Sequence, residues 1–485
     1  MEKRLLENIE PKEVFYFFEE ISKIPRGTGN EKAVSDWLVK FAKDRGLYYL
    51  QDEKFNIYIR KEATKGYESR PGVIFQSHMD MVCEKKEGAR HDFLKDPINI
   101  VVEGDKITAR DTTLGGDDGI GMALTLALLD SDTIEHPLLE AVITVDEELG
   151  MTGAECFDAG MLEGDIFINL DSDDDGVFVV GSAGGPTVSA HIPIEWENGG
   201  EGVSYMLSVT GLLGGHSGED IHRERGNANK LISRVLDAME RTAEFEMAYV
   251  NGGVMCNAIP REARALLLVK ESNVLKLKEV ADEYSKIYAN EYRLSDKGLT
   301  LSFEPFESKV ERVFSKKTKE SVISFGCLCE TGIIRMNLEF ENVVESSNSL
   351  GTVTTGEESV KFTFVTRSSI ESMYRNMVYK IDRLAKIFGG YMCKEYDCLE
   401  WPYDPENRIK KIFESIYMEF FGREARSVVL HTGLECGIIG RNVGRKIDMI
   451  SMGPECKDLH MPGEWLSIES TKRYWSMLAE VLRRV

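Results

Sequence analysis

Apolar residues recur at helical spacing near the start of the chain. Val14, Phe17 and Ile21 fall on one face of a helix, which must end before Pro25. A second helix follows, for which Asn30 is the predicted N-cap. Its inward residues are Val34, Leu38 and Phe41, and it is predicted to end at Gly46.

Short apolar runs alternate with helical patterns in the first and last parts of the chain. The runs at 72–77, 141–145 and 166–170 are largely apolar, and a helical pattern spans 119–129. Such strands are buried on both faces, which is typical of a parallel sheet covered by helices. The same alternation resumes after Trp401. These parts predict an α/β fold with a mainly parallel sheet flanked by helices.

The middle of the chain has a different pattern. Strands with alternating polar and apolar residues are predicted at 204–209 and 359–365, and longer helices with a polar face at 230–241 and 274–289. This mixture predicts an α+β domain inserted into the α/β domain. The two halves of the insert have similar layouts, which hints at an internal duplication, although no repeat is visible residue by residue. The predicted division is 1–186 for the first part of the α/β domain, 187–399 for the insert and 400–485 for the second part.

Composition narrows the classes of function. The 485 residues include 59 Lys and Arg against 82 Asp and Glu, a formal net charge of −23, and 42% of them are hydrophobic. This apolar content is enough for folded domains with sizeable cores. The acidic balance disfavours a nucleic-acid partner, because phosphates are bound by clustered basic residues.

The sequence also carries information about location. The N-terminal residues contain no apolar segment, and no run of about 18 apolar residues follows, so neither a signal peptide nor a membrane partner is predicted. The nine cysteines form no C-x-x-C pair, which argues against a zinc ribbon and a disulfide framework. The prediction is a cytoplasmic protein.

Polar residues follow the predicted buried strands. His78 ends the first apolar run, and Asp80 lies two residues further on the same side of an extended chain, where it could orient the His78 ring. Glu147 and Glu148 follow the second run, and Asp171 follows the third. Because ligands bind at the carboxyl ends of parallel strands, we expect these side chains at one rim of the sheet.

Two adjacent aspartates, Asp117 and Asp118, lie in a glycine-rich turn that opens the 119–129 helix. Neighbouring carboxylates repel each other unless a cation, a partner or a helix N-terminus stabilises them. Oxygen-rich sites with one or two histidines suit zinc, manganese or cobalt. The sequence therefore predicts a divalent metal site, with Asp117 beside the strand ends.

A calcium loop is the main rival interpretation of one segment. Residues 171–176 read D-S-D-D-D-G, but the twelfth position of such a loop would be Ser182 rather than Glu, and a strand precedes it where a helix is required. The chain also lacks the H-E-x-x-H, G-x-S-x-G and Walker motifs. Thermolysin-like proteases, serine hydrolases and P-loop enzymes are therefore disfavoured.

Several motifs together resemble one family of enzymes. They lie at 77–80, 116–119, 146–150, 169–172, 214–222, 345–351, 431–437 and 453–460. In this order, and over nearly the whole chain, they are similar to those of the co-catalytic di-zinc metallopeptidases, which include glutamate carboxypeptidases and peptidase T. The likeness is strongest to the aminoacyl-histidine (carnosine) dipeptidases. It implies a di-zinc exopeptidase-like catalytic, metal-binding domain, interrupted by an inserted lid and dimerisation domain.

The resemblance implies metal ligands around two divalent ions, with zinc as the expected metal and cobalt or manganese as alternatives. The ligands would be His78 and Asp171 on one ion, Glu148 and His460 on the other, and Asp117 between the two. The adjacent Asp118 is the alternative bridge. The peptide bond after the bridging aspartate is implied to be cis.

The resemblance also implies catalytic and substrate-binding residues. Asp80 would orient the metal-binding imidazole, and Glu147 would be the general base. His216 would stabilise the oxyanion, while Asn257 and Arg367 would bind the terminal carboxylate of the substrate. No role is predicted for two further residues of the motifs, His431 and Glu435.

The implied activity is hydrolysis of Xaa-His and related dipeptides. The partner would be a small peptide, and a homodimer is compatible with the resemblance. One alternative is a different hydrolase on the same site, namely a tripeptidase, a carboxypeptidase or an N-deacylase. The other is a non-catalytic protein that binds metal or peptide.

Overall fold

The computed structural model of the chain describes residues 4–307 and 309–485. These residues form two compact units. Unit 1 comprises the described residues up to Gly181 together with Tyr403–Val429 and Leu434–Val485, and unit 2 comprises Ser182–Pro402 and Leu430–Gly433. Unit 2 therefore interrupts unit 1 in the sequence and also takes in a short later segment.

The first part of unit 1 alternates helices and strands. Its helices are α1 (Lys12–Ile21), α2 (Lys32–Asp44), α3 (Gly116–Asp130), α4 (Glu147–Gly150) and α5 (Thr152–Cys156). Its strands are β1 (Tyr48–Gln51), β2 (Ile57–Lys61), β3 (Val73–His78), β4 (Ile100–Glu103), β5 (Lys106–Ala109), β6 (Leu139–Thr144), β7 (Ile166–Asn169) and β8 (Val177–Ser182).

Unit 2 is richer in strands. Its helices are α6 (Ala228–Thr242), α7 (Glu271–Glu291), α8 (Lys316–Leu328) and α9 (Glu371–Ile387). Its strands are β9 (Gly185–Pro193), β10 (Trp196–Asn198), β11 (Val203–Thr210), β12 (Gly215–His216), β13 (Glu246–Gly252), β14 (Ala258–Ile259), β15 (Ala263–Val269), β16 (Thr300–Pro305), β17 (Arg312–Phe314), β18 (Gly332–Met336), β19 (Val344–Thr355), β20 (Ser359–Ser368) and β21 (Tyr391–Cys398).

The last part of the chain returns to unit 1. Its helices are α10 (Arg408–Phe421), α11 (Glu435–Asn442) and α12 (Ile468–Arg484). Its strands are β22 (Arg426–Leu430), β23 (Asp448–Ser451), β24 (Cys456–Lys457) and β25 (Trp465–Ser467).

The main sheet of unit 1 follows the order β1-β2-β6-β3-β7-β23-β8-β22. Its centre is parallel, because β3 pairs in parallel with β6 and β7, and β7 pairs in parallel with β23. The outer pairs β1–β2, β2–β6 and β8–β23 are antiparallel. Strands β3, β6 and β7 are buried along their whole length, as their continuous apolar runs predict. The predicted α/β fold is confirmed, with antiparallel margins that the apolar runs did not predict.

Unit 2 is built on an antiparallel sheet with the order β16-β11-β15-β13-β19-β20-β9-β21, and β18 pairs with β19. Helix α6 packs against α7 and α8, and α9 packs against β9 and β20. The inward residues of the sheet and of α6 form one apolar core. The predicted α+β insert is therefore confirmed as a fold class.

One predicted helix boundary is wrong. Helix α2 begins at Lys32, and the residue at its N-cap position is Glu31 rather than Asn30. The backbone N–H of Asn30 donates to the carbonyl of Gly27, 2.8 Å away, so that Asn30 belongs to the preceding turn. The Glu31 carboxylate in turn accepts a hydrogen bond from the N–H of Gly29. Within the described residues, no helix combines the length and apolar content that crossing a membrane requires.

Candidate metal centre

The parallel strands of unit 1 deliver polar side chains to one edge of the sheet. Strand β3 ends at His78, which is in register with Thr144, the last residue of β6. Glu147 and Glu148 follow β6 in the short helix α4, and Asp171 follows β7 by two residues. This placement agrees with the expectation that the strand ends share a rim.

A carboxylate lies between two histidines at this rim. Asp117 Oδ1 is 2.9 Å from His78 Nε2, and Asp117 Oδ2 is 3.2 Å from His460 Nε2. Asp171 Oδ1 lies 3.4 Å from the same nitrogen of His78, and Glu148 Oε2 lies 3.1 Å from the same nitrogen of His460. The five residues thus fall into two sets that share Asp117.

Three overlapping groups of side chains in this region have ligand atoms close enough to hold a metal ion. The groups are His78 with Asp118 and Asp171, His78 with Glu147 and Glu148, and Asp117 with Glu148 and His460. In the described part of the chain, Glu148 Oε1 is a buried atom of these groups that has no hydrogen-bond partner. Imidazole nitrogens with carboxylate oxygens are a ligand set that fits zinc, cobalt or manganese.

The close packing of acidic groups at this rim shifts the pKa values of the acids and of a neighbouring histidine. Burial, opposed by His78 and reinforced by Asp117, raises the pKa of Asp171 to about 7. Burial also raises the pKa of Glu147 well above its usual value. Hydrogen bonds to Asp117 and Glu148 raise the pKa of His460 to about 10. Buried acids that repel one another are stabilised by a cation, so the electrostatics fit a metal centre.

Asp117 and Asp118 have different surroundings. Asp118 is buried, and its carboxylate accepts hydrogen bonds from the backbone N–H groups of His78, at 3.2 Å, and Gly121, at 3.0 Å. Asp117 instead directs its two oxygens to the two histidine rings. The peptide bond between the two aspartates is cis, as the family resemblance implies. Both residues have non-helical backbone angles at the start of α3.

Asp80 connects the two strand ends behind the histidine. It is fully buried, and its Oδ1 lies 3.3 Å from His78 Nδ1. The backbone N–H groups of Glu147 and Glu148 donate to the two oxygens of Asp80 at 3.1 and 3.3 Å. The Thr28 hydroxyl donates to Oδ2 at 2.9 Å. One carboxylate thus fixes both the His78 ring and the turn that carries the glutamates.

A second set of predicted residues lies together in unit 2. His216 and Asn257 are neighbours, because β12 pairs with β14 and the N–H of Ser217 donates to the Asn257 carbonyl. Arg367 lies on β20 opposite Ser347 of β19. The Glu219 N–H donates to His216 Nδ1 at 3.2 Å, so that a neutral His216 ring carries its proton on Nε2.

The sequence assigned no role to His431, which the structure places in this second set. The segment Leu430–Gly433 belongs to unit 2, and His431 Nε2 lies 2.7 Å from Ser347 Oγ. Gly218 links it to Arg367: a Cβ there would be 2.5 Å from the His431 carbonyl and 3.2 Å from Arg367 Nε. Burial, together with the charge of Arg367, lowers the pKa of His431 to about 3. Only four residues, Leu430–Gly433, belong to unit 2 at this point of the chain. A segment this short has no pattern of apolar residues from which its place in unit 2 could be predicted.

Glu435 is the other motif residue for which the sequence predicts no role. It is buried in unit 1, where its Oε2 accepts hydrogen bonds from Gln76 Nε2 at 2.6 Å and Thr144 Oγ1 at 2.7 Å. Burial raises the pKa of its carboxyl group to about 8. Glu435 therefore lies under the strand ends that carry His78 and the glutamate turn.

Comparison with known proteins extends over the whole chain. The family described as a peptidase dimerisation domain matches residues 207–296. The chain is 34% identical to the cytosol non-specific dipeptidase of Escherichia coli (strain K12) over 481 residues, which cover 99% of both proteins. It is also 34% identical to the crystal structure of aminoacylhistidine dipeptidase from Vibrio alginolyticus, with a TM-score of 0.91 over 99% of this chain and 98% of that one. Aminopeptidase PepT from Bacillus cereus shares the fold at 15% identity, with a TM-score of 0.54 over 98% of both chains. The chain belongs to the co-catalytic metallopeptidase family that contains the aminoacylhistidine dipeptidases.

Proposed function

We propose that this protein is a metal-dependent dipeptidase that hydrolyses Xaa-His and related dipeptides such as carnosine. The observation that carries the proposal is the Asp117 carboxylate, which lies between His78 and His460 with one oxygen 2.9 Å from the first ring and the other 3.2 Å from the second. A carboxylate placed in this way is suited to hold two cations side by side. The names of the two similar dipeptidases support the same activity.

The residues around Asp117 divide between two ions. His78 and Asp171 would hold one, and Glu148 and His460 the other, with Asp117 serving both. Zinc is the proposed metal, because imidazole and carboxylate ligands suit it, and cobalt or manganese are the substitutes that the same ligands accept. When bound, two such ions supply Lewis acidity and lower the pKa of water.

Glu147 is the proposed general base. It belongs to the group of ligand atoms that includes His78 and Glu148, and its N–H bond to Asp80 fixes the turn on which it lies. From that position a carboxylate can accept the proton of the attacking water and return it to the departing amine. Asp80 would hold the His78 ring in one tautomer and orientation, since its oxygen faces Nδ1.

The residues gathered in unit 2 are the proposed substrate-binding group. Arg367 Nε is buried without a hydrogen-bond partner among the described residues, and a guanidinium in that state is suited to a carboxylate ligand. Asn257 is exposed and adds amide donors. His216, neutral with its proton on Nε2, would donate to the oxyanion. An arginine that fixes the terminal carboxylate also limits peptide length, which supports a preference for dipeptides.

The test of the general base is Glu147→Gln. We expect the variant to keep its metal content and to lose at least about two orders of magnitude in kcat, as loss of a general base predicts. Glu155→Gln is the matched control, because Glu155 lies exposed on α5 of the same unit. Parent-like turnover by Glu147→Gln would remove Glu147 from the mechanism.

The test of the reaction is a substrate panel for the zinc-loaded protein. It contains β-alanyl-histidine, alanyl-histidine, leucyl-glycine, a tripeptide and an N-acetylated amino acid. We expect cleavage of the dipeptides and poor cleavage of the others. Preferential cleavage of the tripeptide or the N-acetyl compound would assign the site to a different hydrolase. Metal binding with no hydrolysis of any member would favour a non-catalytic binding protein.

Location and assembly form the last part of the proposal. We infer that unit 1 is the catalytic unit and that unit 2 provides a homodimer contact, supported by the dimerisation-domain match at 207–296. The cytoplasm is the proposed compartment, supported by the cytosol dipeptidase name of the Escherichia coli relative.

A further inference from the structure

Glu464 is a buried acid whose partners are backbone amides next to the metal centre. Its side chain is 2% exposed and lies four residues after His460. Its two oxygens accept hydrogen bonds from four consecutive N–H groups of one turn. These donors are Leu114 at 2.7 Å, Gly115 at 3.0 Å, Gly116 at 2.7 Å and Asp117 at 3.4 Å. One carboxylate therefore connects the loop of His460 to the turn that presents Asp117.

Arg26 also forms a hydrogen bond to the turn that carries Asp117. It is 2% exposed, and its guanidinium donates to three backbone carbonyls. The acceptors are Met79 at 3.0 Å, Asp80 at 2.7 Å and Gly115 at 2.5 Å. The first two directly follow His78 in the chain. Arg26 thus ties the loop that leaves His78 to the turn that carries Asp117.

The glycines of the turn make room for these two side chains. A Cβ at Gly115 would lie 2.5 Å from Arg26 Nη2, and one at Gly119 would lie 2.6 Å from the same atom. A Cβ at Gly116 would lie 3.2 Å from Glu464 Oε1 and 2.7 Å from Cys456 Sγ. The glycine-rich sequence around the aspartates is therefore explained by the close approach of Arg26 and Glu464.

The loop of His460 has an uncommon backbone conformation beside this anchor. His460 and Asp458 have φ values of 61° and 55°, in the left-handed region that residues other than glycine rarely occupy. The Glu464 N–H donates to the Met461 carbonyl at 3.1 Å, and its carbonyl accepts from Thr108 Oγ1 at 2.7 Å. Glu464 is thus held by its backbone while its carboxylate holds the Asp117 turn.

We infer that Arg26 and Glu464 are positioning residues. Their hydrogen bonds to the backbone beside the metal ligands set the spacing of the two proposed metal sites. A buried charge is costly unless hydrogen bonds satisfy it, and here seven backbone groups do so. Because Glu464 joins the Asp117 turn to the His460 loop, its loss would affect most the ion that Asp117, Glu148 and His460 would hold. Partners that orient metal ligands from behind contribute about 10- to 100-fold in metal affinity.

The test is the metal affinity of Glu464→Gln, measured by competition with a chromophoric chelator, together with the visible absorption spectrum of the Co²⁺-loaded protein. Glutamine keeps the shape but turns an NH₂ group toward backbone N–H groups. We expect the weaker of the two binding steps to lose at least tenfold in affinity, and the Co²⁺ spectrum to change. Arg26→Lys is the second variant, since an ammonium cannot span the three carbonyls, and we expect the same direction of change.

Glu140→Gln is the matched control. Glu140 is another buried acid of unit 1, which accepts hydrogen bonds from the N–H groups of Glu163 and Gly164 and from the Tyr58 hydroxyl, and it is not among the residues that could hold metal. We expect lower stability in urea but parent-like metal affinity and Co²⁺ spectrum. Equal losses of affinity in Glu140→Gln and Glu464→Gln would overturn the inference, because the effect would then come from general destabilisation.

The inference rests on the proposed metal centre, and the experiment separates the two failures. If the parent protein binds no Zn²⁺ or Co²⁺, the proposed function fails. If the parent binds two ions and both Glu464→Gln and Arg26→Lys bind them with unchanged affinity and spectrum, the positioning role is wrong while the metal centre stands.

Discussion

Replacing Asp80 by asparagine should weaken both catalysis and metal binding. Asp80 is fully buried, with Oδ1 facing His78 Nδ1 at 3.3 Å and both oxygens accepting backbone N–H groups, from Glu147 at 3.1 Å and Glu148 at 3.3 Å. Asparagine preserves the shape but has only one acceptor oxygen. In either orientation of the amide, its NH₂ group faces one of these N–H groups.

The size of the effect follows from the lost hydrogen bonds. If the amide oxygen takes the Oδ1 position, the hydrogen bonds that Glu148 and the Thr28 hydroxyl donate to the carboxylate are lost. If it takes the other position, the hydrogen bond from Glu147 and the ionic contact with His78 Nδ1 are lost. A hydrogen bond to a charged group contributes about 1.5–3 kcal/mol. Two lost contacts therefore remove about 3 kcal/mol of the stabilisation that holds the His78 ring and the glutamate turn in place. A loss of that size in the binding of the transition state corresponds to roughly two orders of magnitude in kcat/KM.

The assay measures kcat/KM for alanyl-histidine and the affinity for Zn²⁺ by chelator competition, with urea unfolding as a separate measure of stability. Thr28→Val is the control, because it removes only the hydroxyl that donates to Asp80 at 2.9 Å. We expect less than a tenfold loss from Thr28→Val, in line with about 1 kcal/mol for one hydrogen bond. Asp80→Asn with kcat/KM and Zn²⁺ affinity within about threefold of the parent, against a predicted loss of roughly 100-fold, would refute the reasoning. If Thr28→Val lowered kcat/KM as much as Asp80→Asn, the effect would come from general destabilisation of the fold rather than from the orientation of the His78 ring.

Further predictions concern the metal and the substrate. His460→Ala should lower the bound metal from two ions toward one, because Asp117 and Glu148 remain as the only ligands of the second set; two ions bound at parent affinity would contradict the assignment. A chelator should lower the melting temperature, since a ligand at 100 times its Kd stabilises the folded state by about 2.7 kcal/mol, and identical melting curves with and without metal would exclude a tightly bound ion. Arg367→Lys should raise KM about tenfold with a smaller change in kcat, because lysine cannot make a bidentate contact with a carboxylate; an unchanged KM would exclude Arg367 from substrate binding.

The rim of the sheet was predictable because its signals are local. Strand β3 is apolar up to the polar residues that end it, so its end can be read from the sequence, and the pairing of His78 with Thr144 brings two such ends to one level. Gln76 pairs with Asn169 in the same way, which places Asp171 beside them. Parallel pairing converts three separate positions along the chain into one site.

Other residues of the candidate site carry no such signal. His460 lies 343 residues from Asp117, on a half-exposed loop with a left-handed backbone, so that no periodicity points to it and only the family resemblance did. His431 is in unit 2 because a short segment around it leaves unit 1, and the pattern of apolar residues does not reveal such a crossing. The apolar runs do not predict the antiparallel margins of the main sheet either, because strand direction depends on the connections between strands rather than on composition.

Arg26 and Glu464 show where the local signal was present but indirect. An isolated arginine or glutamate in a sequence is expected at the surface, and both are buried here because their partners are backbone atoms that no sequence pattern marks. The sequence does indicate them indirectly, through the glycines that they contact. A Cβ at Gly115, Gly116 or Gly119 would lie too close to one of the two charged groups. Gly121 follows the same rule for Asp118, whose Oδ1 would lie 2.2 Å from a Cβ. Glycines around paired aspartates therefore indicate that buried side chains approach the turn closely. In a glycine-rich metal-binding turn, such side chains are the candidates for residues that position the ligands.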